Sequence, residues 1–296
     1  MSIGSTILRI KQTFSPDLRT AYYREWVRPK IRETDPVTGL TDDTCEIHVL
    51  TSSDDFLNLM WALKSFYAAS GRRYPLCIHD DGSLGEEHAT ALRRHFPEAR
   101  VIERAGADAH VIPALANYPR CQSFRSENHL APKLFDFKMY LQSDQMLLLD
   151  SDVLFFKSPE ELLRRIEIPS YQKNSVNRDV ATAYTVDPAD VEAEFGFEVV
   201  PRFNSGLGLI HRVSLDLDLI EAFLGLPDIR SHFWRIEQTL FALCSSKHGV
   251  ELLPEAYNVH LDEGIRGPVR HYVGAVRQQM YGEGIPVVKE AHDLFT

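Results

Sequence analysis

From residue 46 onward the chain alternates between short apolar runs and polar links. Glu46-Ile-His-Val-Leu-Thr51 reads as a short buried strand. Phe56, Leu59, Met60, Leu63, Phe66 and Tyr67 then recur at helical spacing, and Gly71 stops that helix. Tyr74-Pro-Leu-Cys-Ile-His79 is a second strand, ended by the turn residues Asp80-Asp-Gly-Ser83. A helix over roughly 85–95, with Leu92 and Phe96 on its apolar side, and a third strand over 99–103 follow. A helical stretch from Leu130 to Leu141 leads into Gln145–Phe156, the most hydrophobic run of the chain, which predicts a central strand. Strand–helix–strand alternation with short links predicts an α/β domain whose mostly parallel, doubly wound sheet is flanked by helices.

The second half is less regular. It predicts a short helix near 159–166, strands near 180–186 and 206–211, helices near 214–224 and 235–245, and a polar C-terminal tail without core periodicity. No internal repeat is present. Residues 1–43 also lack core periodicity. Their basic residues Arg19, Arg24, Arg28, Lys30 and Arg32 alternate with acids and read as a solvated face, and the turn-rich stretch 35–43 reads as a boundary.

The 296 residues are 44% hydrophobic and 25% charged, an ordinary globular composition with enough chain for a substantial core. The net charge of −10 argues against a general duplex-coating role, which needs a basic excess. Cys45, Cys77, Cys121 and Cys244 form no CxxC pair or zinc spacing, which points to a reducing compartment. The N-terminal stretch carries Arg9 and Lys11 where a signal peptide would be apolar, and the longest apolar runs are strand-sized. The expectation is a cytoplasmic protein without a transmembrane segment, with peripheral membrane contact left open.

Asp150-Ser151-Asp152 is the sharpest chemical feature, two acids interrupting an apolar run. In an extended chain residues i and i+2 point to the same side, so both carboxylates converge at the end of a buried strand. Ligands of open α/β sheets sit at such strand ends. Two hard oxygen ligands suit Mg²⁺ or Mn²⁺, with a ligand's phosphates completing the shell. The alternative is a pair of acids capping the following helix. Haloacid-dehalogenase-like phosphatases also place Asp-x-Asp after an apolar strand, but there the motif opens the fold, whereas here three strand–helix pairs precede it.

The order of elements, with Asp-x-Asp closing the fourth strand, resembles a GT-A nucleotide-sugar glycosyltransferase, and later segments resemble glycosyltransferase family 8. Lys133 lies seventeen residues before Asp150, where that family has a basic residue contacting the donor sugar. Phe203-Asn-Ser-Gly-Leu-Gly-Leu-Ile210 resembles its Asn-(Ala/Ser)-Gly segment lining the sugar pocket. Glu237-Gln238-Thr-Leu resembles its Asp-Gln-x-x-Leu segment beside the reacting carbon. His271-Tyr-Val-Gly274-Ala-Val-Arg277 resembles its His-x-x-Gly-x-x-Lys, where His is the third metal ligand and Lys meets the diphosphate. Glu237 departs from the family's Asp, Arg277 from its Lys, and Asp80-Asp-Gly-Ser83 is closer to the inverting family 2, so retention and inversion both stay open.

The resemblance implies a GT-A fold and transfer of a hexose-type sugar from a uridine diphosphate donor to an unidentified acceptor, with the later motifs on the retaining side. It implies Asp150, Asp152 and His271 as ligands of Mn²⁺ or Mg²⁺, and Glu237 and Gln238 beside the reaction centre. Thr51, Asp54, Asp80, Asp81, Lys133, Ser151, Asn204, Ser205, Gly274 and Arg277 are implied as donor-binding. The corresponding organisation is an N-terminal arm (1–43), a nucleotide-sugar half (44–157) and an acceptor half (158–296) within one continuous domain. Gly264, Gly267, Gly274, Gly282 and Gly284 suggest a C-terminal segment that is mobile until it closes over the donor. A phosphatase and a catalytically silent binding scaffold are the competing readings.

Overall fold

The computed structural model describes residues 17–293. Arg9 and Lys11 lie outside these residues. Strands β1 (Glu46–Thr51), β2 (Leu76–Asp80), β3 (Arg100–Ile102), β4 (Gln145–Leu149), β6 (Asn174–Arg178), β7 (Phe203–His211) and β8 (Val250–Leu252) form one sheet in the order β3-β2-β1-β4-β7-β6-β8. Pairs β1–β2, β1–β4, β2–β3 and β6–β8 are parallel, while β7 runs antiparallel to both neighbours. Strand β5 (Val153–Phe155) pairs antiparallel with β9 (Val269–His271) in a separate small sheet.

Strand β4 is central, as its composition predicts, and both faces are covered. Leu147 and Leu149 pack into one apolar core, Met146 and Leu148 into the other. On the first side lie helix α1 (Leu18–Tyr22), prolonged by a wide turn Tyr23–Val27 and a tight turn Arg28–Glu33, then α2 (Phe56–Ser70) and α3 (Glu86–His95). Gly71 closes α2 at φ 65°, a left-handed conformation that costs glycine nothing. The second core gathers α4 (Arg104–Ala114), α5 (Pro119–Glu127), α6 (Pro132–Tyr140), α8 (Pro188–Phe195), α9 (Leu217–Phe223) and α10 (Arg235–His248). Helix α7 (Glu160–Glu167) follows β5 and packs on the first core.

Four expectations change. The run 145–156 is two strands of different sheets, and Asp150–Asp152 is the turn between them. The strand expected at 180–186 lies instead at 174–178 (Asn-Ser-Val-Asn-Arg). Its buried Asn174 gives Nδ2–H to Ser214 and Ser245 and accepts the His211 N–H, so side-chain hydrogen bonds replace apolar burial. Residues 1–43 contribute to the core through Val27 and Ile31 on the inner side of the N-terminal turns. The C-terminal segment is not a polar tail. Helices α11 (Arg277–Gln279) and α12 (Ile285–His292), joined by a wide turn, bury Met280, Tyr281, Ile285 and Val288 in the first core. Among the described residues no helix is long and apolar enough to cross a membrane.

Candidate active site

Two local pairings build the site. The antiparallel ladder β4–β7 ends at Leu149↔Leu207, and the Asp150 N–H then donates to the Gly206 carbonyl at 2.8 Å. This sets the start of β7, Asn204-Ser205-Gly206, beside the Asp-x-Asp turn. The ladder β5–β9 pairs Val153 with His271, and the Tyr272 N–H donates to the Asp152 carbonyl. A residue 119 positions away in sequence (271 − 152) is thereby held against Asp152 by backbone bonds.

The side chains converge. His271 Nε2 lies 3.0 Å from Asp152 Oδ1 and 4.0 Å from Asp150 Oδ2. Its other nitrogen, Nδ1, donates to Asn204 Oδ1 at 2.9 Å, and the Gly206 N–H holds the same oxygen. That bond orients the ring and leaves Nε2 facing the carboxylates, the arrangement in which a histidine serves as a metal ligand. Gly206 makes room for it: a Cβ there would stand 2.1 Å from His271 Cε1. Burial disfavours charge on His271, but Asp152 and Asp150 outweigh burial and raise its pKa. Burial likewise works against the Asp152 carboxylate, yet His271 and Arg277 hold it well below the usual carboxylate range. A divalent cation suits this donor set of two carboxylates and one imidazole nitrogen, whose ligand atoms all lie within 4.8 Å of one another.

Two fixed cations flank the trio. Arg277 bridges Asp152 Oδ2 at 2.8 Å and Asp55 Oδ1 at 2.9 Å, and these carboxylates raise its pKa despite burial. Lys133 is buried. Its ammonium donates to Asp150 Oδ1 (2.9 Å) and the Ser205 carbonyl (3.1 Å) and forms an ion pair with Glu237 Oε1 at 3.0 Å. Glu237 is buried as well, which pushes its pKa up against the pull of Lys133, and Ser205 Oγ donates to its second oxygen.

These groups line a cleft of about 760 Å³, together with Asp54, Asp81, Ser151, Gln238 and Gly274. Thr51 and Asp80 do not reach it. Thr51 is buried and turns its hydroxyl to the Ser52 carbonyl; Asp80 accepts the N–H groups of Gly82 and Leu84 and shapes the turn. Strand-end position located both correctly along the chain but not the direction of their side chains. Among the cleft residues that the sequence reading did not name as site residues are Asp55, Asp179, Gly206 and Trp234. Gly206 had a signal, as the glycine of the Asn-Ser-Gly segment. Asp179, which accepts from Asn204 Nδ2 at 3.0 Å, follows a strand that polarity disguised. His271 and Arg277 stand at the cleft.

No protein-family model matches the chain, and no curated protein matches it either. Solved structures do. The galactosyltransferase LgtC, in complex with donor and acceptor sugar analogues, superposes at a TM-score of 0.54 with 18% identity over 85% of this chain and 96% of that one. Mouse xyloside xylosyltransferase 1 superposes at 0.51 with 13% identity, covering 78% of this chain and 99% of the other. At these identities the likeness is one of fold, and the fold is GT-A.

Proposed function

We propose that the protein is a glycosyltransferase that uses a divalent metal ion, Mn²⁺ in preference to Mg²⁺, and a uridine diphosphate sugar as donor. The observation that carries this reading is the meeting of Asp150, Asp152 and His271 Nε2 beside Arg277 in one cleft. A histidine in the ligand set favours Mn²⁺ over Mg²⁺. The cleft's charge explains why a metal is needed. Seven carboxylates line it (Asp54, Asp55, Asp81, Asp150, Asp152, Asp179, Glu237) against Lys133, Arg277 and His271. A diphosphate meets net repulsion there until a divalent ion offsets the charge at the Asp-x-Asp turn.

Bound at Asp150, Asp152 and His271, the ion would neutralise negative charge developing on the departing diphosphate. The chain's own residues do the positioning. Asn204 fixes the His271 ring. Arg277 has five donors in a planar fork and spends two on Asp152 and Asp55, which leaves others for phosphate oxygens. Lys133 acts through its neighbours, holding Asp150 and Glu237 in place. Glu237 and Gln238 border the space where the sugar would lie, and exposed Trp234 offers an apolar face to the acceptor on the same wall.

A thermal-shift panel of nucleotide sugars, with and without Mn²⁺, tests this. Stabilisation by uridine diphosphate sugars only when the metal is present supports the reading. A panel in which no nucleotide sugar shifts the transition under either condition identifies a silent scaffold instead.

A further inference from the structure

A second cluster of metal-ligating side chains lies inside the sheet, away from the cleft. His48 on β1 and Cys77 on β2 are register partners across the parallel ladder, and His79 follows two residues later on the same face of β2. All three are fully buried. His48 Nδ1 is 3.1 Å from His79 Nε2, Cys77 Sγ is 3.3 Å from His79 Nε2, and all three atoms fall within 4.8 Å of one another. The rings of Phe137 and Tyr140 cover the cluster.

Hydrogen bonds alone do not satisfy it. A neutral imidazole has one N–H and one lone pair, and a thiol is a weak donor. If His48 donates from Nδ1 to His79, its bare Nε2 lone pair faces the buried Glu46 carboxylate at 3.1 Å. If His48 instead carries its proton on Nε2, towards Glu46, then His79 Nε2 must donate to it and cannot accept from the thiol. His79 Nδ1 has no partner in either arrangement, nor would it gain one with an ion on Nε2.

We propose that His48 Nδ1, Cys77 Sγ and His79 Nε2 bind a thiophilic d¹⁰ metal ion, Zn²⁺ or Cu⁺, that braces β1 to β2. Bond lengths of about 2.0 Å to nitrogen and 2.3 Å to sulfur place tetrahedral ligands about 3.3 Å (N–N) and 3.5 Å (N–S) apart, close to the spacing found. Thiolate with imidazole selects these ions over Mn²⁺ or Mg²⁺. The Glu46 carboxylate lies 3.1 Å from His48 Nε2, on the side away from the ion, and is itself fixed by Arg100 and by the Gln142 N–H. The thiol proton leaves to solvent as the thiolate bonds the ion. The brace sits on β1 and β2 four residues before Ser52 and Ser83, which line the cleft, and it stands independently of the donor reading.

Cobalt reads this site separately, because only a thiolate ligand gives sulfur-to-Co²⁺ charge-transfer absorption in the near ultraviolet. The intact chain is produced in zinc-depleted medium with Co²⁺, so that the ion is present while the core closes. The expected result is that absorption in the folded protein, absent from Cys77→Ser and retained in Cys45→Ser and Asp152→Asn. Displacement by Zn²⁺ identifies a zinc-type site; displacement by Cu⁺ alone, under reducing conditions, identifies copper(I). Folded wild-type protein without the absorption overturns the proposal, whether or not Cys77→Ser folds, and so does absorption that survives Cys77→Ser.

Discussion

At the scale of single residues, the site depends on how His271 is held. Asn204 Oδ1 takes the Nδ1 proton, and Gly206 leaves the space the ring fills. Asn204→Ala frees the ring and is expected to weaken Mn²⁺ binding roughly 10–100-fold, the usual effect of losing a group that orients a ligand. Gly206→Ala pushes the ring off the carboxylates and should weaken it at least as much. Metal titration followed by calorimetry, with circular dichroism to confirm the fold, measures both; wild-type affinity in either variant shows that His271 is not a ligand. Asp152→Asn should retain the fold, because His271 can shed its proton and Arg277 keeps Asp55. The acids of the turn were legible in the sequence because carboxylates are rare inside apolar runs, and the Asn-Ser-Gly segment through its resemblance to a glycosyltransferase segment. Asp55 and Asp179 were not, because a carboxylate near a helix start or a loop looks the same whether it caps, pairs or binds.

At the scale of elements, the largest departure is the C-terminal segment. Its glycines and short helices hide any helical period, yet α12 buries Ile285 and Val288 against the first core. Ile285→Ala is expected to cost roughly 2–5 kcal/mol in a urea unfolding series, whereas a surface tail predicts no change. Ending the chain before β9 removes the partner of β5 along with α12, so the shortened protein should fail to fold cooperatively. The N-terminal turns are tied down as well. Helix α3 ends at His95, whose ring bonds the Arg32 carbonyl. Burial, with help from Lys64, lowers the pKa of His95 to about 4. Between about pH 6.5 and pH 4 the unfolded chain therefore binds a proton that the native chain refuses, and stability falls as pH drops through that window. His95→Gln keeps a donor without the titration. Its urea midpoint should fall less between pH 7 and pH 4.5 than that of the wild type; equal losses would show that His95 does not contribute.

For the whole molecule, the first half was legible because each strand and helix carries its own period, and alternation of the two leads directly to a parallel sheet with a central β4. The second half was less so because its strands are held by neighbours. Strand β6 is polar and depends on a side-chain network, and β5 and β9 are three residues each and exist through mutual pairing. That pairing makes the site by joining the middle of the chain to its end. The account then rests on one claim, that a divalent ion at Asp150, Asp152 and His271 is what lets an acid-lined cleft accept a diphosphate. Calorimetric titration of uridine diphosphate into the intact protein, with Mn²⁺ and again with EDTA, tests it most directly. The predicted result is saturable binding with Mn²⁺, worth about 2.7 kcal/mol of added stability at a hundredfold excess over Kd, and none measurable with EDTA or in Asp152→Asn. Equal affinity with and without the metal would contradict it.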